Sequence, residues 1–197
     1  DSDVIARTRH FLLTRQIPDG SWLPDPVFLH AESWGRIQDS ALLPTAYVTW
    51  VLAASGLAPA ALTSAVGYLR ENWESADEAY TLAILANALV AAAPQDRVVG
   101  RVLDRLAGMA TVDGESAHWG SDIPTITHAR GPGATLETTA MAALALARAD
   151  THPPLLERAL QYLVEARDSR GTWHTTQATI LALKALLAGS DATASVN

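Results

Sequence analysis

No cysteine occurs in this chain, which excludes disulfides, thiolate metal ligands and a cysteine nucleophile within these residues. Basic charge is scarce. Fourteen Lys and Arg stand against 21 Asp and Glu, a net charge of −7, and no basic stripe is available to neutralise phosphates, so nucleic acid is not an expected partner. No apolar run reaches the roughly 18 residues that a membrane-spanning helix requires, and no signal-peptide pattern is present. No long run of alternating β-branched residues appears, which argues against a strand-built fold.

Helix formers fill the space left by these absences. Hydrophobic residues make up 49% of the chain, with alanine prominent, enough apolar surface for a sizeable core at this length. Residues 154–189 show the organising unit. The first half, 155–167, carries Glu157, Arg158, Glu165 and Arg167 on one side and Leu156, Leu160, Leu163 and Val164 on the other, the pattern of a helix with one wet face. The second half, 175–188, has Lys184 as its only charge, so it must be covered on most sides. A Gly171-Thr172-Trp173 turn joins them.

The unit repeats along the chain. Outer, charged helices are expected at 3–16, 59–73, 95–109 and 155–167; inner, charge-poor helices at 42–55, 76–93, 135–148 and 175–188. In the first outer helix Ile5, Phe11 and Leu12 form the apolar side, and Pro18 and Gly20 end it in a second Gly-x-Trp turn at Trp22. Two irregular stretches, 23–41 and 111–133, each separate an outer from an inner helix. Long loops inside compact domains are disproportionately functional. Four outer–inner pairs of similar length predict an all-α fold, either a solenoid or an α/α toroid. Inner helices that are apolar nearly all round favour the toroid. The domain is expected over 1–190, with 191–197 as a tail or linker.

Thr45-Ala46-Tyr47-Val48, Glu78-Ala79-Tyr80-Thr81, Ala117-His118-Trp119, Glu137-Thr138-Thr139 and the block from Gly171 to Thr179, Gly-Thr-Trp-His-Thr-Thr-Gln-Ala-Thr, follow one another in a familiar order. Together they resemble the thioester domain of the α2-macroglobulin and complement family, across almost the whole chain. The resemblance implies an α/α toroid, with four of the family's usual six helix pairs present here. It extends into the first loop, where the stretch from Pro18 to Glu32 is similar to the loop carrying the family's catalytic histidine, at His30. The family's Cys-Gly-Glu-Gln segment, which forms the thioester, is absent from these residues and is expected about a hundred residues before the histidine, ahead of Asp1.

What the resemblance implies is chemistry at His30. In complement-type relatives that histidine attacks the thioester, giving an acyl-imidazole and a thiolate that activates a hydroxyl acceptor. An imidazole titrating near neutrality suits the task, and the covalent intermediate divides one hard acyl transfer into two easier ones. Glu32 sets the charge around His30 in this reading. The parent is then an extracytoplasmic protein, periplasmic or secreted and of bacterial type. It would trap proteases or tag surfaces by acyl transfer to hydroxyls or amines, with its remaining domains as partners. The fragment alone is not an enzyme and carries no cofactor.

Other readings of single residues are weaker. His118, His128, His174 and Glu137 match no zinc spacing, and no metal is expected. The Gln16-to-Trp22 stretch fits the Gln-x-x-x-Gly-x-Trp repeat of terpene cyclases, but in one copy only. Asp77, Glu78 and Glu137 are too few to insist on the paired carboxylates of a toroidal glycosidase. A thioester-less toroid serving as a protein-binding module is the main alternative.

Overall fold

Alanine and leucine give the charge-poor segments high helix propensity and no polar face, so these helices form readily and must be enclosed. The computed structural model describes residues 2–24 and 40–194. In chain order it has α1 (Ser2–Arg15), α2 (Leu42–Ala54), α3 (Pro59–Asn72), α4 (Ala79–Ala92), α5 (Arg97–Gly108), β1 (Thr111–Asp113), β2 (Ser116–His118), α6 (Pro132–Arg148), α7 (Pro153–Glu165) and α8 (Thr176–Ala194). The fold is all-α, with a small antiparallel hairpin as the one sheet among the described residues.

The helices lie in two layers. α2, α4, α6 and α8 pack side by side in chain order, and α3, α5 and α7 each lie against the inner helix before them and the one after. This two-layer order is consistent with an α/α toroid. α4 is buried without a break from Leu82 to Val90, and α6 from Leu136 to Ala147. Two cross-links show that these inner neighbours run parallel. Tyr80, at the start of α4, meets the segment leading into α6 at Ile126, and Asn87, seven residues on, donates from Nδ2 to the carbonyl of Met141.

Local sequence explains the helix ends. α3, α6 and α7 open on Pro59, Pro132 and Pro153, where a missing N–H costs nothing. Asp96 caps α5 by accepting from the Val98 N–H at 2.9 Å. Gly189 lets α7 and α8 approach closely, because a Cβ there would collide with the Leu160 side chain.

Four expectations need correction. Residues 111–118 form a hairpin, not irregular loop, because Gly114 takes a positive φ of 57° and turns the chain between β1 and β2. α4 begins at Ala79, since Glu78 is extended and the preceding turn is a short 3₁₀ helix, Trp73–Ser75. α8 spans Thr176–Ala194, longer than the inner helix expected at 175–188. On α1 it is Leu12 and Leu13 that pack inward, whereas Ile5 and Phe11 are exposed.

Burial otherwise follows the layer assignment. Ala83, Leu85 and Leu144 are at most 1% exposed, but Leu183 is 47% exposed. Leu183 lies on the last inner helix of the series, whose main packing partner among the described inner helices is α6.

Candidate functional site at the inner-helix N-terminal rim

The two long connections of the sequence both enter inner helices at their N-terminal ends, on either side of α4. The first, containing His30 and Glu32, lies for the most part outside the described residues, which resume at Ser40. The second is described throughout and shows what this end of the fold holds.

Thr125, Ile126 and Thr127 are pinned there by polar side chains from α4 and α6. The Ile126 N–H donates to the Tyr80 hydroxyl at 2.9 Å. Thr127 shares its hydroxyl hydrogen between both carboxylate oxygens of Glu137, each 2.7 Å away. Thr125 Oγ1 lies 2.9 Å from Thr127 Oγ1. With the Thr127 proton committed to Glu137, Thr125 is the donor in that pair. Thr125 Oγ1 in turn accepts from the Ala129 N–H at 3.1 Å. Glu137 is fully buried and Tyr80 nearly so. Burial pushes the Tyr80 phenol well above its ordinary pKa, the Ile126 N–H opposes that rise, and the negative charge of Glu137 adds to it.

A groove of about 290 Å³ opens beside this network, lined by Tyr47 and Trp50 of α2, Tyr80 of α4, Thr127 of the second loop, and Gln177 and Lys184 of α8, among others. Its chemistry changes along its length. Hydroxyls and an amide stand at the helix N-termini, and Arg148 and Lys184 stand at the far end. A second cavity of about 480 Å³ continues past Arg148 and Lys184 to Asp150 and Asp191.

The base of the first loop is fixed by its flanking residues. The Trp22 N–H donates to Thr45 Oγ1 at 2.9 Å, and the Trp22 indole donates to the Leu12 carbonyl at 2.7 Å. Gln16 Nε2 donates to the carbonyls of Gly20 and Ala61, both at 2.9 Å. The glutamine noted in the sequence therefore ties the turn to α3. Gly20 has a φ of 91° and packs directly on the Ser64 carbonyl, a place only glycine fits.

The histidines and glutamate tested against a zinc pattern occupy separate positions. His118 stacks on Tyr162 with ring centroids 5.0 Å apart, His128 and His174 are exposed, and Glu137 is engaged with Thr127. Among the described residues no three His, Asp or Glu side chains gather as a metal site. Sequence reasoning missed Thr127 as the partner of Glu137, and Tyr80 and Thr125 as members of the same network. The available signal was Glu137 itself, the sole acidic residue of α6.

A layered all-α domain with long loops at one end of its inner helices describes several classes of toroid. The class is fixed by a comparison of the whole sequence: residues 1–188 match the A-macroglobulin TED domain, the thioester domain of the macroglobulin and complement proteins. The chain belongs to that family. Its members' thioester domains bind targets covalently and do not turn over substrate, and they are parts of larger, typically extracellular proteins. No helix among the described residues is long and apolar enough to cross a membrane.

Proposed function

We propose that this chain is the part of a macroglobulin-like thioester protein that directs acyl transfer, and that His30 is the residue that does so. The observation carrying the reading is family membership over residues 1–188, and the stretch from Pro18 to Glu32 resembles the family's histidine loop. His30 takes the acyl group from a thioester formed by a Cys-Gly-Glu-Gln segment ahead of Asp1 in the parent protein. The departing thiolate then removes the proton of an acceptor hydroxyl, which attacks the acyl-imidazole and releases imidazole. Glu32 biases the charge around the ring. The parent traps proteases or tags surfaces, in the periplasm or outside the cell.

Treatment of the full parent protein with radiolabelled methylamine tests this directly. The reading expects one label and one free thiol per chain. Without label or thiol, the parent is a thioester-less member that works through non-covalent binding. One feature favours that second reading: the apolar edges of the groove, where Tyr47, Val51 and Ile180 are each more than a third exposed.

A further inference from the structure

The groove beside the rim network is apolar in its middle and polar at both ends. Its floor is buried: Trp50 of α2, Met141 of α6 and Leu181 of α8. Its walls are Tyr47, Val51 and Ile180, each more than a third exposed. The rim end is polar without charge, with Tyr80, Thr127 and Gln177. The far end carries Arg148 and Lys184, the only charged side chains among the described residues that line the groove.

Among the described residues neither cation forms an ion pair, although Asp150 and Asp191 stand beyond them in the second cavity. Arg148 reaches solvent, yet desolvation by its neighbours lowers its pKa from the usual arginine value. A cation partly withdrawn from water is stabilised by an anion that reaches it. An apolar trough that ends on such cations is complementary to a molecule with an apolar body and one anionic end.

Size narrows the choice. A volume of about 290 Å³ is at the small end of ligand sites, about 300–1,000 Å³. A helix, about 10 Å across, is too wide to enter it, so a second copy or a helical partner would rest on the flanking stripes instead. Met141 to Arg148 and Gln177 to Lys184 each span seven helical positions, about 10 Å. An extended carbon chain with bonds of about 1.5 Å advances about 1.3 Å per bond, so about eight to ten carbons fill that length.

We propose that this groove binds a single-chain amphiphile, an unbranched aliphatic carboxylate of about eight to ten carbons, with its head on Arg148 and Lys184. The chain lies over Trp50, Met141 and Leu181 and covers the exposed faces of Tyr47, Val51 and Ile180. Beyond the rim it meets Thr127, Gln177 and water, so further methylenes gain nothing. The inference goes beyond the acyl-transfer reading and stands whether or not His30 reacts.

The test measures binding of hexanoate, octanoate, decanoate and dodecanoate to this chain by titration calorimetry. Protein is kept where it sediments as a monomer, and ligand below micelle formation. Affinity should tighten about fourfold per methylene up to decanoate and level off at dodecanoate. Arg148→Gln with Lys184→Gln, both at exposed positions, should weaken decanoate about tenfold and leave decanol within about twofold. Ile180→Glu should weaken both ligands, with circular dichroism checking that each variant keeps its helix content. The length series needs no variant, so it decides even where a substitution disturbs the fold. Affinity that climbs through dodecanoate without levelling would overturn the proposal, as would no binding of decanoate at millimolar concentration. So would a decanoate-to-decanol ratio that a folded double variant leaves unchanged.

Discussion

The hydroxyl of Thr127, an exposed loop residue, bonds both carboxylate oxygens of Glu137, which is fully buried in α6. A loop is thereby held on the inner layer by a carboxylate that has left water. Losing the partner of a buried charged group costs more than the bond itself was worth. Thr127→Val should therefore destabilise the chain by about 2–4 kcal/mol, and Thr127→Ser by less than about 1 kcal/mol. Urea unfolding of the two variants checks this; equal effects would mean that the hydroxyl carries little of the loop's attachment.

Gly20 and Gly171 close equivalent turns with φ of 91° and 81°, but a Cβ on Gly20 would strike the Ser64 carbonyl while one on Gly171 meets open space. Both alanine variants bear the cost of positive φ, about 1–2 kcal/mol. Gly20→Ala also has to displace backbone. It should lose at least about 2 kcal/mol more than Gly171→Ala in the same urea assay.

Asp96 joins the start of α5 to α3. The Val98 N–H and then the Arg70 guanidinium hold its carboxyl below the usual aspartate range. A depressed folded value means that its contribution is complete above the ordinary pKa near 3.9 and is lost as pH falls through the folded value. Asp96→Ala should cost about 0.5–2 kcal/mol at pH 7. The gap between parent and variant should narrow below about pH 4, as urea unfolding at pH 7 and pH 3 would show. A gap unchanged at pH 3 would remove the carboxylate as its source.

The layers were legible in the sequence because charge-free segments such as 79–92 have no face to give to water. The Gly-x-Trp turns were legible too, though the threonine each tryptophan meets was not, being up to 23 residues away. Burial at the edge was misread for a physical reason. Leu183 has the composition context of a core residue, and only the order of helices shows that α8 ends the series of described inner helices. The rim network escaped notice because Tyr80, Thr127 and Glu137 come from three different stretches.

The same edge makes a solution prediction. Ile180, Leu183 and Leu187 form an exposed stripe along α8, and Tyr47 and Val51 form another on α2. Contiguous apolar patches beyond about 300–600 Å² are rare on monomers. Sedimentation should show reversible self-association of this chain at high concentration, weakened by Leu183→Lys with Leu187→Glu. An ideal monomer at every concentration would show that these stripes remain solvated.

The acyl-transfer reading is tested most directly by acceptor choice at His30. The parent protein, freshly activated, is offered radiolabelled glycerol and a small radiolabelled amine together, and the ratio of the two on the protein is measured for the parent and for His30→Ala. The ratio does not depend on how much of each preparation is active. Loss of a positioned nucleophile should depress transfer to glycerol by on the order of 10²-fold or more, while the amine, which needs no such activation, is taken up nearly as before. An unchanged ratio in His30→Ala would contradict the account and leave residues 23–41 without a part in the chemistry.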